Sequence, residues 1–192
     1  MLRVTAHIKS ASHLIFGKRI IGAEKQPGET HDDMEKRVWP QKAHVDKNGE
    51  LFIPAIVIKR ALDSTAVVLG KKIPGKGNSR YAKVFITGVM AGENVMLGKT
   101  IDDCVPETIL CSSDGKKGGT GGTQVPRVFP MLHEWEGDVE LFILTNDLPE
   151  AVIKETLVAA GFVNGALSFR AQNGGMAGRW RVESFNVEEY AA

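Results

Sequence analysis

Residues 139–188 read as strand, helix, glycine-rich loop and strand, and this ending narrows the folds open to the chain. Val139-Glu140-Leu141-Phe142-Ile143-Leu144-Thr145 is a short apolar, β-rich run, as a strand covered on both faces requires. Asp147 and Glu150 have the spacing of an N-cap and its N3 partner, and Pro149 fits a first helical turn, where its missing donor costs little. Val152, Leu157 and Val158, with Ala159 and Ala160, give the helix a core stripe, and Gly161 is placed to end it in the left-handed conformation. Residues 165–178 are rich in glycine and contain Arg170, Asn173 and Gly174. Residues 179–187 return as a strand with Arg179 and Arg181 on one face and Trp180 and Val182 on the other. A glycine loop lets a polyanion approach the backbone, and the arginines supply phosphate donors.

The other end of the chain supplies a matching strand. In residues 1–10, Val4, Ala6 and Ile8 alternate with Arg3, Thr5, His7 and Lys9, so one face is apolar and the other polar and partly basic. His7 is expected as a solvated sheet residue. Residues 11–50 look like a long insertion carrying the basic pair Lys18 and Arg19. Within it Thr30 and Asp33 have capping-box spacing and open a helix to about Val38, which Pro40 ends. His31, Asp32, Asp33, His44 and Asp46 are the densest group of possible metal ligands. Their spacing fits no helical ligand pair, so no metal is expected there and no cofactor anywhere.

Pro54 introduces a helix over residues 55–69, with Ile58, Leu62, Ala66 and Leu69 as its apolar stripe. Lys59 and Arg60 fall near its N-terminus, where the dipole disfavours cations and favours phosphate. Residues 70–82 form a second insertion, a basic loop with Lys71, Lys72, Lys76 and Arg80 beside Tyr81. Its Gly70-x4-Gly75-Lys76 spacing is not a nucleotide-binding P-loop. Gly77 stands where a magnesium-holding hydroxyl is needed, and a helix rather than a strand precedes it. Cations beside a tyrosine suit a single strand better, with charge for phosphates and a ring for a base. Residues 84–90 are expected as a strand, and residues 91–111 as short extended pieces. Residues 112–124 read as a flexible loop in which Lys116 and Lys117 form, with Arg127, a further basic patch. Residues 125–132 are extended, and Pro126 and Pro130 suggest an edge strand.

Composition excludes little beyond extremes. With 192 residues, 43% hydrophobic and 24% charged, the chain can bury a sizeable core as a single domain. Its net charge is +1, so a nucleic-acid site must come from local clustering. Cys104 and Cys111 form neither a metal motif nor a disulfide framework. No apolar run approaches the roughly 20 residues of a membrane span, and the chain begins directly with the alternating strand. A cytoplasmic setting without membrane contact is the expectation.

One strand, a long insertion, a helix, central strands, then strand, helix, glycine loop and strand describe an α/β (α+β) ferredoxin-like or RRM-like sandwich with long insertions. On that scaffold the chain resembles the RAMP superfamily of CRISPR-associated proteins, nearest to the repeated guide-RNA-binding backbone subunit of effector complexes. Residues 53–64, Ile-Pro-Ala-Ile-Val-Ile-Lys-Arg-Ala-Leu-Asp-Ser, resemble the family's Ile-Pro-Gly-Ser-Ser-Leu-Lys-Gly helix start, with Lys59 retained. Residues 170–181 resemble its glycine loop before the last strand. The resemblance implies a non-catalytic subunit binding single-stranded RNA, with DNA left open, alongside copies of itself and other effector subunits. Two alternatives stay open: a phage-encoded homologue that binds single-stranded DNA or inhibits such a complex, and a RAMP-type endoribonuclease using His31, Asp32, Asp33 or His44.

Overall fold

The computed structural model describes residues 1–113 and 123–190. Along the chain these form β1 (Leu2–Ser10), β2 (Leu14–Ile15), α1 (His31–Val38), β3 (Glu50–Ile53), α2 (Ala55–Leu69), α3 (Tyr81–Gly88), β4 (Val89–Ala91) and β5 (Val95–Thr100). There follow β6 (Val105–Ser112), β7 (Gln124–Leu132), β8 (Glu136–Ile143), α4 (Glu150–Val163) and β9 (Trp180–Glu189). Lys116 and Lys117 lie outside the described residues.

The main sheet has the order β4-β8-β1-β9, all neighbours antiparallel. Taken with α2 and α4, this is the β-α-β-β-α-β path of a ferredoxin-like fold: β1, α2, β4, β8, α4, β9. The alternation in β1 sets the layers. Val4, Ala6 and Ile8 are buried with Val139, Leu141 and Ile143 of β8, and Ile58 and Leu62 of α2 and Ile153 and Leu157 of α4 close over them. Gly161 lies inside α4 instead of ending it. A Cβ there would stand 2.2 Å from the Trp180 carbonyl oxygen, so glycine lets α4 lie directly on β9. Asn164 caps the helix and Gly165, at φ +72°, takes the left-handed position. The N-cap is Pro149 with no side-chain cap, because Asp147 pairs with Lys76 at 2.8 Å instead.

The second sheet, β2-β7-β6, places β7 in the middle and not at an edge. β6 pairs along its whole length, from Val105↔Met131 to Ser112↔Gln124, whereas β2 reaches only Met131 and Leu132. The open remainder of that side accommodates the missing donor of Pro126. The Thr30–Asp33 capping box forms as its spacing demands, and the Lys42 ammonium, nearly buried, joins Glu35 at 2.5 Å to the Val128 carbonyl at 2.7 Å. A ribbon of β3 and β5 lies against β8. A Cβ on Gly137 would meet the Met96 carbonyl oxygen at 2.5 Å.

Residues 84–90 are the clear departure from expectation. They are helix to Gly88 and strand only from Val89. Their β-branched and aromatic side chains favour a strand, but burial overrides that preference: Tyr81, Phe85 and Gly88 are buried at helical spacing against α2.

Candidate nucleic-acid interface

The sheet face away from α2 and α4 carries the polar half of the β1 alternation. In an RRM-like fold this open face is where aromatic side chains stack bases. Here its cations are neutralised from within. Arg3 pairs with Glu140 at 2.6 Å and Glu188 at 3.2 Å, and Lys9 with Glu136 at 3.6 Å, while the His7 ring shares a hydrogen bond with Asp138 at 2.8 Å. Arg181 lies on the same face and pairs with Glu183 at 2.9 Å. This surface offers a polyanion little net attraction.

The glycine loop is built differently. It is a bonded structure laid against residues 13–17: Ser168 N–H donates to the Ile15 carbonyl at 3.1 Å and Gly178 N–H to the His13 carbonyl at 2.7 Å. Leu167 and Phe169 sit at φ 57° and 52°, a left-handed conformation that costs energy for side chains of their size. A Cβ on Gly175 would stand 1.8 Å from the Phe169 carbonyl oxygen, so the loop needs glycine there for the close approach of its own strands. The loop docks on α2, through a buried contact at Ala61 and Thr65 and a more open one at Ser64. Asn164 Nδ2 donates to the Ala61 carbonyl at 3.2 Å and Thr65 Oγ1 at 2.8 Å, and Gln172 Nε2 donates to Ser64 Oγ at 2.8 Å. Arg170 lies between those two anchors in sequence, and Arg60, one turn of α2 before Ser64, is near enough for its charge to act on the Arg170 guanidinium.

Among the described residues, three buried side-chain polar atoms find no partner: Asn164 Oδ1, Arg170 Nε and Trp180 Nε1. All belong to this loop or to the residues that flank it. Buried polar groups are nearly always bonded; Asn164 and Trp180 lie in the core, whereas Arg170 is half-buried, so its guanidinium is the one of the three that an outside acceptor can approach. Burial, with the Arg60 charge adding to it, lowers the pKa of the Arg170 guanidinium, which stays protonated at neutral pH. Two like charges that act on each other beside a donor without an acceptor favour an anion.

The structure brings some expected residues to this place and not others. Arg60, Arg170, Asn173 and Gly174 share it, with Gly174 at φ +79° ending a short 3-10 turn over Ala171–Asn173. Lys18 and Arg19 are exposed and follow Gly17, whose Cβ position is occupied by Ser168 Oγ at 2.1 Å. Arg179 packs on the end of α4, donating to the Phe162 carbonyl at 3.4 Å. The 70–82 loop holds its cations in pairs: Lys71 with Glu155, Lys72 with Asn78, and Lys76 with Asp147. Arg80 reaches back toward Gly70. Lys59 lies mostly beneath the surface. Its ammonium bonds both Asp63 oxygens at 2.5 and 2.6 Å and the Phe85 carbonyl at 3.2 Å, so it caps α3 with its protons already engaged.

Ser64 and Gln172 were not legible as site residues. Their only sequence signal is that Ser64 follows Arg60 by one helical turn. The histidine and acid group of residues 31–46 is dispersed. Asp33 is held in the capping box, His44 stacks on Phe52 with ring centroids 5.7 Å apart, and Asp46 accepts from the Asn48 and Glu50 amides. His31 and Asp32 face a separate cleft. No three His, Cys, Asp or Glu side chains converge as a metal site among the described residues. No helix of the described chain is long and apolar enough to cross a membrane.

No protein-family model matches the sequence, and no curated protein matches it. Solved structures match its fold. A chain of a type III-B Cmr-beta assembly, solved bound to cognate target RNA, superposes with a TM-score of 0.61 at 15% identity, over 97% of this chain and 60% of that one. Cmr6 from Pyrococcus furiosus aligns with a TM-score of 0.49 at 13% identity, over 95% of this chain and 98% of that one. The first of these carries the comparison. At this identity the likeness is one of fold, and it is the fold that the RAMP resemblance implies.

Proposed function

We propose that the chain is a non-catalytic, single-strand-binding subunit of a CRISPR-type effector complex. It holds RNA on the face made by the glycine loop and α2, next to copies of itself or other subunits. The observation that carries this reading is the buried Arg170 Nε that finds no partner, on a guanidinium that also feels the Arg60 charge. A backbone phosphate supplies the acceptor that this donor lacks, and Gln172, Ser64, Asn173 and the Gly174 backbone extend the contact along a strand. The self-neutralised open sheet argues against RRM-style base stacking there. Similarity of fold to a chain of an assembly solved with its target RNA agrees with the choice of RNA.

The test is a salt titration of single-stranded RNA binding by filter retention, with Arg60→Ala and Arg170→Ala in parallel. Neutralised phosphates release counterions, so affinity falls steeply with salt, and each variant lowers the slope by about one unit. A slope near zero in the unaltered protein, or unchanged slopes in both variants, removes this reading.

A further inference from the structure

A cleft of about 570 Å³ separates the first half of α1 from residues 23–25 and from the paired ends of β6 and β7. It lies away from the glycine loop, and its walls are fixed from both sides. Arg37 grips Glu29 through two bonds of 2.7 and 2.9 Å and the Glu24 carbonyl at 3.1 Å, which ties the preceding segment to α1. Glu35 accepts from the Val128 amide at 2.9 Å and from Lys42, which ties α1 to β7. These bonds hold two of its walls, and its size falls within the roughly 300–1,000 Å³ of small-molecule sites.

Helix α1 divides its polar side chains by task. Asp33 and Glu35 serve structure, through the capping box and the β7 anchor. Asp32 and His31 line the cleft and make no hydrogen bond or ion pair with any described residue; across from them Lys25 and Arg127 also make none. That sets them apart from Arg3, Arg37, Lys42, Lys59, Lys71 and Lys76, each of which has a carboxylate partner. Met34, Val125 and Pro126 also line the cleft and give it apolar surface of the kind on which a flat ring settles.

We propose that this cleft seats a single nucleotide: Lys25 and Arg127 take the phosphate, Met34, Val125 and Pro126 the base, and Asp32 accepts from amino or hydroxyl donors of base or sugar. Two carboxylates line the cleft, but Glu35 is taken up by Lys42 and the Val128 amide, so Asp32 is the one left beside the two cations, which suits a ligand that combines one anionic group with hydrogen-bond donors. A polyacid would be repelled by Asp32, and an apolar ligand would strand the cations. The nucleotide has two possible sources, a free mononucleotide or one residue of a bound strand, and the chemistry of the seat is common to both.

The experiment uses the four nucleoside 5′-monophosphates and inorganic phosphate as probes in calorimetric titrations. A 4-thiouridine-substituted single-stranded RNA is cross-linked in parallel. Saturable monophosphate binding, at least tenfold tighter than inorganic phosphate and weakened about tenfold in Arg127→Gln, supports the seat as a free-nucleotide site. Asp32→Asn should then change the order of preference among the four bases. Cross-links to the peptides holding Met34 or Val125, lost in Arg127→Gln without free-nucleotide binding, support it as a seat for one residue of a strand. Inorganic phosphate competing as well as the monophosphates overturns the proposal, as does the absence of both binding and cross-links at the cleft. RNA that binds with cross-links confined to residues 164–174 overturns the cleft alone and leaves the strand-binding face intact. Circular dichroism of Arg127→Gln and Asp32→Asn, both at a solvent-open rim, checks that the fold persists.

Discussion

Replacing Lys59 by methionine tests whether a lysine at the start of α2 serves the strand or the fold. Its side chain is 14% exposed and that of Asp63 25%, so the pair is shielded but not dry. Removing one partner of a fully buried pair costs about 3–5 kcal/mol. A cation at a helix C-terminus, here α3, adds about 0.3–1 kcal/mol. Because a quarter of Asp63 remains hydrated, the loss falls below the range for a fully buried pair, and we expect Lys59→Met to lose about 2 kcal/mol. At a urea dependence of about 2 kcal/mol per molar, the unfolding midpoint falls by roughly 1 M. RNA affinity measured well below that midpoint should stay within about twofold. Replacing both partners, Lys59→Met with Asp63→Leu, should recover most of the loss, since an apolar pair leaves no buried charge without a counter-ion. An unmoved midpoint together with a clear drop in RNA affinity would refute the argument and return Lys59 to the binding face.

Arg170→Ala should behave in the opposite way, weakening RNA binding about tenfold while leaving the urea midpoint nearly unchanged, because its Nε has no protein partner to lose. Gly161→Ala pushes a methyl group against the Trp180 carbonyl, 2.2 Å from the Cβ position, and is expected to cost about 1–3 kcal/mol, read as a drop in melting temperature. The Arg37 bonds hold the Glu29 carboxyl down to about 2, so the stabilisation it gives is complete above its ordinary value and fades as pH falls toward 2. A carbon-detected NMR titration should place its midpoint there and find it back near the usual carboxylate range in Arg37→Gln. Burial lifts the Cys104 thiol to about 11, so a disulfide reagent at neutral pH should label Cys111 first and reach Cys104 only on unfolding.

The sequence was most legible where one periodicity decides one face. The alternation of Val4, Ala6 and Ile8, the stripe of Ile58, Leu62 and Ala66, and the Thr30–Asp33 spacing each specify their element locally. It was least legible where a distant partner decides. Residues 81–88 are helical because Phe85 is buried against α2 and Lys59 caps the far end, and neither fact is local to that stretch. Gly161 looked like a helix terminator because its real neighbour, Trp180, comes nineteen residues later. The candidate site shows the same division. Arg170 and its glycines announce themselves, but which of the many cations remain unpaired depends on Glu155, Asp147, Asp63 and Glu183, each brought in by tertiary structure.

The register of β9 against β1 slips between His7 and Ile8, so Glu183 is an extra residue in the middle of a ten-residue outer strand. At the other side of the sheet, β4 has only three residues. Neither border is a good template for another strand: one is kinked and lined with carboxylates, the other is too short to be copied. If copies gather on one polymer, as the proposed function has it, this matters most, because long straight borders at high local density would zip together into a continuous sheet and then into aggregate. On the proposed reading, with both borders of this sheet guarded, neighbours along a strand would meet through other surfaces and could come apart when the strand is released.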